Sequence, residues 1–108
     1  MKPTAIVVNI RSGRYDVYCG RAGKGEEGYW GNPYRIEGMI TRAISIAQYR
    51  SEFGIRVKTD PVFLSRLGDL RIQMVKLAEG GKPLRLGCFC APDACHASVI
   101  AEYLNGLV

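Results

Sequence analysis

Histidine occurs once in this chain, at position 96, and tryptophan once, at position 30, while no apolar run approaches the length of a membrane span. The longest such run, Ala5-Ile6-Val7-Val8, is far below the roughly 20 residues that a bilayer crossing requires, so no membrane partner is expected. Met1-Lys2-Pro3-Thr4 leads into it without a secretory apolar segment or small-residue cleavage site, which predicts a cytoplasmic protein. Basic residues never gather five or six in a row, which argues against a nucleic-acid-binding arm. The C-x2-C spacing of a zinc knuckle is missing. So is the phosphate-loop pattern G-x-x-x-x-G-K-[ST]: in Gly20-Arg21-Ala22-Gly23-Lys24-Gly25 the lysine is followed by glycine and the glycine spacing is wrong. No linker, internal repeat or low-complexity segment interrupts the chain.

With 108 residues and 47% hydrophobic content, the expectation is one domain over residues 1–108 with a single core. A formal charge of +5 suits phosphate-bearing partners without requiring them. In a reducing compartment the four cysteines stay thiols, and Cys88 and Cys90, on one face of one strand, are poorly placed for a bridge.

The apolar pattern predicts strands over residues 4–10 and 15–19, joined as an antiparallel hairpin by Arg11-Ser12-Gly13-Arg14. A glycine-rich loop over 20–34 follows. Thr41 is the expected cap of a helix reaching Glu52, and Asp60-Pro61 opens a second helix that Gly68 would divide in two and Gly80-Gly81 would end. Residues 84–90 read as a buried strand with Leu84, Leu86, Cys88 and Cys90 facing one way, and residues 94–104 as a last helix. This order implies an α/β fold, with α+β as the alternative: a compact, three-layer-like Rossmannoid domain whose small sheet of three or more strands is flanked by about three helices.

Leu86-Gly87-Cys88-Phe89-Cys90-Ala91-Pro92-Asp93-Ala94-Cys95-His96 gathers three of the four cysteines with the lone histidine on a strand-to-helix turn, where α/β proteins place ligands. Three chemistries compete for it. Cys88, Cys90, Cys95 and His96 are formally a complete zinc set, although neighbours such as Cys95 and His96 diverge on a helix. With Asp93 as the N-cap, Cys95 would lie in the first helical turn, where a thiolate is favoured and His96 serves as its base. The third reading makes the cysteines small apolar core residues.

In Trp30-Gly31-Asn32-Pro33-Tyr34, Gly31 permits close backbone approach and Pro33 holds Asn32 extended with its amide available to read a base edge or sugar hydroxyl. Trp30 and Tyr34 would offer a stacking face, the competing reading making Trp30 a core anchor. Arg21 and Lys24 are the cations available to a phosphate.

These boxes carry a family resemblance. The chain resembles a bacterial and phage domain-of-unknown-function family, 4326, through Cys19-Gly20-Arg21, the W-G-N-P-[FY] box at 30–34, Thr41-Arg42 with Tyr49-Arg50, and the G-C-[WF]-C-x-P-x-x-C-H box at 87–96. It departs from the family pattern at Cys19, where an aliphatic residue is usual, and at Ser98, where an acid is frequent. The resemblance implies a compact α/β fold with a pocket, in the host cytoplasm if the chain is phage-encoded, and brings no reaction with it. The expected function is binding of a nucleotide-like or other phosphorylated small ligand between the two boxes, with a hydrolase or transferase step on it. Cys95 and His96 are the expected catalytic pair, and Arg21, Trp30, Gly31, Asn32, Cys88 and Cys90 the ligand-binding residues. The alternatives are a non-catalytic module that sequesters a nucleotide, and a zinc-stabilised domain that contacts nucleic acid or protein. No cofactor is expected outside that zinc alternative.

Overall fold

Leu84, Leu86 and Cys88 are 0, 0 and 1% exposed, and their strand takes the centre of the sheet. In the computed structural model, which describes residues 2–21, 28–91 and 93–106, β1 (Ala5–Asn9), β2 (Val17–Tyr18) and β3 (Leu84–Cys88) form a parallel sheet ordered β1-β3-β2. Gly23, Lys24 and Gly25 of the loop and Pro92 of the cysteine box lie outside the described residues. The α/β class holds, with three helices accompanying the three strands: α1 (Arg42–Thr59), α2 (Pro61–Glu79) and α3 (Ala97–Asn105).

The expected antiparallel hairpin does not form. β1 and β2 each pair in parallel with β3, in the registers Val7↔Leu86 and Val17↔Leu86, so the strand late in sequence separates the two early ones. The turn around Arg11–Arg14 is real, but it belongs to a connection that passes across β3 at Gly87. A side chain there would lie 2.7 Å from Tyr15 Cγ and 2.8 Å from Ile10 Cγ2, so the glycine opens the space the crossing needs.

Ala5, Leu84, Leu86 and Cys88 join the core, with Val7 and Val17 packed beside them on the same face. On the other face Ile6 is 38% exposed, and Val8 and Arg85 are half-buried. The expected three-layer arrangement is thereby narrowed to a sheet with one well-buried face. α3 packs on β1 and β3, and α2 on β3.

Thr41 caps α1 as expected, its Oγ1 accepting the Ile44 N–H at 3.2 Å. The helix then runs past Glu52 to Thr59, because Tyr49 and Phe53 continue its buried stripe. Asp60 both ends α1 and caps α2, its Oδ1 accepting the Val62 and Phe63 N–H groups at 3.1 Å. Gly68 does not divide α2, whose stripe of Phe63, Leu67, Leu70, Met74 and Ala78 is buried throughout. The last helix begins at Ala97 rather than at residue 94. Asp93 does not cap it; its backbone N–H donates to the Cys90 carbonyl at 2.8 Å inside a turn. Among the described residues no helix is long and apolar enough to cross a membrane.

Candidate functional site

A cleft of about 360 Å³ opens where β2 and β3 end. Parallel sheets offer ligands this position because the chain leaves adjacent strands there in different directions. The Cys19-Gly20-Arg21 segment enters from β2, the cysteine box from β3, and Arg42, Ser45 and Ile46 from α1. Of the residues singled out in the sequence, Arg21, Asn32, Cys88, Cys90, Cys95 and His96 all line it. Two segments more than fifty positions apart in the chain therefore share one cavity, as expected.

Within it the sulfur chemistry is arranged differently from the expectation. Cys95 precedes α3 instead of lying in its first turn, and the N–H of Ala97, the first residue of that helix, still favours its thiolate but is outweighed. Its thiol donates to the Cys88 sulfur, and that contact, reinforced by burial, keeps Cys95 protonated well above the ordinary thiol range. Cys88 moves the other way, down to about 6, because it receives the Cys95 S–H and the backbone N–H groups of Cys90 and Ala91, with Arg42 nearby. Cys88 is the thiolate of the pair and Cys95 the proton holder.

His96 stands behind them. Its Nε2 lies 2.5 Å from the Cys19 carbonyl oxygen, which can only accept, so Nε2 carries the proton and Nδ1 has a free lone pair. That lone pair faces Cys95 Sγ at 3.6 Å. The ring is buried edge-on to Tyr49 with centroids 4.9 Å apart, and burial lowers its basicity so that it stays neutral. Cys19 is fully buried and burial lifts its thiol to about 12, leaving it inert. Cys88 and His96 Nδ1 are thus alternative acceptors for the one Cys95 proton, and His96 is anchored from its other side by the Cys19 carbonyl.

The second box contributes scaffolding. The Asn32 side chain, expected to read a ligand, is buried and satisfied within the protein. Its Nδ2 donates to Ser45 Oγ at 2.8 Å and its Oδ1 accepts the Tyr34 N–H at 2.9 Å, while Ser45 Oγ donates to the Tyr34 carbonyl. Trp30 does not line the cleft. Its ring sits in the core, 5.1 Å from Tyr29 and 5.5 Å from Phe63 between centroids, and its carbonyl accepts the Tyr49 hydroxyl at 3.1 Å. Stacking on a ligand by Trp30 is therefore replaced by a core anchor. Gly31 does allow close approach, but to the protein's own backbone: a Cβ there would lie 2.7 Å from the Gly20 carbonyl oxygen.

Three further residues, given no part in ligand binding by the sequence alone, join the lining: Arg42, Arg35 and Phe89. Arg42 hydrogen-bonds the Cys90 sulfur, which raises its basicity, and donates to the Ala94 carbonyl at 3.3 Å. A cation at the first position of a helix with no acid in its first turn runs against the helix dipole, and that misfit was the signal available for it. Arg35 joins Arg42 and Arg21, so among the described residues three guanidinium groups and one carboxylate, Glu37, line the cleft. Arg21 is oriented by its Nε, which donates to the Asn32 carbonyl at 3.0 Å. Phe89, 52% exposed at the rim, is an aromatic ring that a ligand can reach, and the half-buried Tyr34 lines the same cleft.

The zinc set does not assemble. Among the described residues no three of His, Cys, Asp or Glu stand together as metal ligands, since Cys90 turns to Arg42 and His96 holds Cys19.

Comparison with known proteins agrees with this architecture of two boxes. An uncharacterized 12.4 kDa protein from the nrdA-td intergenic region of Enterobacteria phage T4 is 30% identical over 101 residues, spanning 94% of this chain and 78% of that protein. No solved structure matches. The sequence profile of a domain of unknown function (DUF4326) matches residues 8–106, a span that includes both boxes and the sheet they meet on, and the chain belongs to that family.

Proposed function

We propose that the protein binds a phosphorylated, nucleotide-like small molecule in the cleft between β2 and β3 and acts on it as a hydrolase or transferase. The observation that carries this reading is the convergence of Arg21, Arg35 and Arg42 on a cavity where, among the described residues, none of them has an ion-pair partner and one carboxylate joins the lining. Arginine forks match phosphate oxygens in pairs, and a partly desolvated cleft strengthens that attraction. Phe89 offers a ring for a base at the rim. The thiolate of Cys88 on the floor supplies a nucleophile that is ionised at neutral pH. Its attack would form a bond from sulfur to the electrophilic atom of the ligand, with the leaving group departing with the bonding pair. As the sulfur loses its charge, the Cys95 S–H is released to turn toward His96 Nδ1.

Thermal denaturation with a panel of nucleoside phosphates and sugar phosphates tests the binding. A ligand that binds only the folded state raises the melting temperature, and Arg42→Gln and Arg21→Gln should each diminish that rise. No rise with any phosphorylated compound at millimolar concentration would refute the reading. With a stabilising compound in hand, product analysis of wild type and Cys88→Ala tests the chemistry. Turnover lost in Cys88→Ala supports the thiolate step, and binding without turnover in the wild type leaves a sequestering module.

A further inference from the structure

A second cleft, of about 450 Å³, lies on the sheet face turned away from the core. Arg14, Lys82 and Arg85 line it against a single carboxylate, Asp16. That carboxylate is occupied by the backbone, its Oδ2 accepting the Arg85 N–H at 2.8 Å, and among the described residues none of the three cations has an ion-pair partner. Arg11 and Phe89 form a ridge at the border of the first cleft, with the guanidinium carbon 5.7 Å from the ring centroid.

The ridge is held from beneath by one side chain. Asn9, which lines the second cleft, accepts the Arg11 N–H on its Oδ1 at 2.8 Å and donates from Nδ2 to the carbonyls of Phe89 at 3.2 Å and Ala91 at 2.7 Å. Phe89 in turn borders the first cleft. Through Asn9 the backbone of an exposed aromatic residue at the first cleft is thus tied to the second.

We infer that the two clefts and the Arg11–Phe89 ridge form one track for a single-stranded nucleic acid, so that the nucleotide occupying the first cleft belongs to a strand. This rests on the reading of the first cleft as a nucleotide site and extends it. Phosphates of the strand lie against Arg14, Lys82 and Arg85, a base stacks at Phe89, and the neighbouring phosphate meets Arg42 and Arg35. Alternation of cations with an exposed ring suits an unpaired strand, whose bases are free to stack. An acidic peptide would use the cations and leave the ring without a role.

The test is fluorescence anisotropy with a labelled oligodeoxythymidylate of about 12 nucleotides, within the range covered by small single-strand-binding domains. The wild type is compared with a triple variant, Arg14→Gln, Lys82→Gln and Arg85→Gln, across a salt series. The variant should bind the strand at least about tenfold more weakly, with the slope of log affinity against log salt reduced by about two. Its melting temperature, and the rise produced by a mononucleotide, should match the wild type. Unchanged affinity and slope in the variant would overturn the track, as would displacement of the strand by polyglutamate at equal charge. A mononucleotide effect without strand binding removes the track and leaves the first cleft. Strand binding that depends on the triple substitution, without any mononucleotide effect, removes the free-nucleotide reading and leaves the track.

Discussion

His96 Nε2 is bound to the Cys19 carbonyl at 2.5 Å, a contact between residues 77 positions apart that determines which nitrogen of the ring faces Cys95. Through it the end of β2 sets the proton arrangement of a box that begins at the end of β3. Cys95 has one proton and two acceptors within reach, the Cys88 sulfur and His96 Nδ1. While Cys88 is ionised the proton points to Cys88.

The thiolate absorbance of the protein should therefore show an inflection near pH 6 that is lost in Cys88→Ala. Replacing Cys95 with alanine removes the first of the donors that hold Cys88 down, so the inflection should rise toward the ordinary thiol value of 9.0. Ultraviolet titration of the two variants checks both. An inflection near 6 that survives in Cys88→Ala would place the thiolate elsewhere.

Acid should destabilise the fold. His96 is held neutral by burial and titrates below its usual 6.5, so its contribution is lost as pH falls from 6.5 toward the lower folded value. Cys88 acts in the same sense: its depressed value gives a contribution that is full above 9.0 and is lost as pH falls toward about 6. Cys19 acts oppositely, its contribution being present below 9.0 and lost as pH rises toward about 12. Urea midpoints measured across this range should peak near pH 9, and His96→Gln should flatten the acid limb.

Ser45 ties the Trp-Gly-Asn-Pro loop to α1, and Ser45→Ala should cost about 1–3 kcal/mol because the buried Asn32 amide and Tyr34 carbonyl each lose a partner. Gly87→Ala should cost as much or more, since the added methyl meets Tyr15 and Ile10 inside contact distance. Urea denaturation of both variants provides the measurement.

Trp30 and Phe89 should separate stability from binding. Trp30→Ala should cost about 3–5 kcal/mol, the usual loss for a large buried ring. Phe89→Ala should change stability by no more than about 0.5 kcal/mol, as for an exposed position, yet weaken the ligand that raises the melting temperature. Equal loss of stability in both variants would contradict the assignment of Phe89 to the rim.

Since the cysteines and His96 do not gather as metal ligands among the described residues, exhaustive dialysis against a chelator should leave the melting temperature unchanged. A fall on dialysis, reversed by zinc, would show that the box closes around an ion.

Much of this protein is legible in its residues because local physics speaks for it. Thr41 and Asp60-Pro61 mark helix starts by cap chemistry, and the stripes on α1 and α2 follow from helical spacing. The two boxes identify the cleft, since scarce chemical groups cluster in them. Roles inside the cleft were harder to assign. Whether Cys88 or Cys95 is ionised depends on which backbone N–H groups aim at which sulfur, and the sequence holds no record of that aim. Trp30 and Phe89 are both aromatic residues in boxes, and only the position of the core relative to each decides which one a ligand can touch.

The sequence alone determined the helices, the buried character of β3 and the pair of segments that meet at the cleft, because capping, periodicity and composition act over a few neighbouring residues. Tertiary structure alone decided that β3 comes between β1 and β2, that their connection crosses at Gly87, and that Cys88 rather than Cys95 bears the charge. Strand order and proton sharing arise from contacts between residues far apart in the chain. Their energies depend on distances and directions that exist only once the chain has folded.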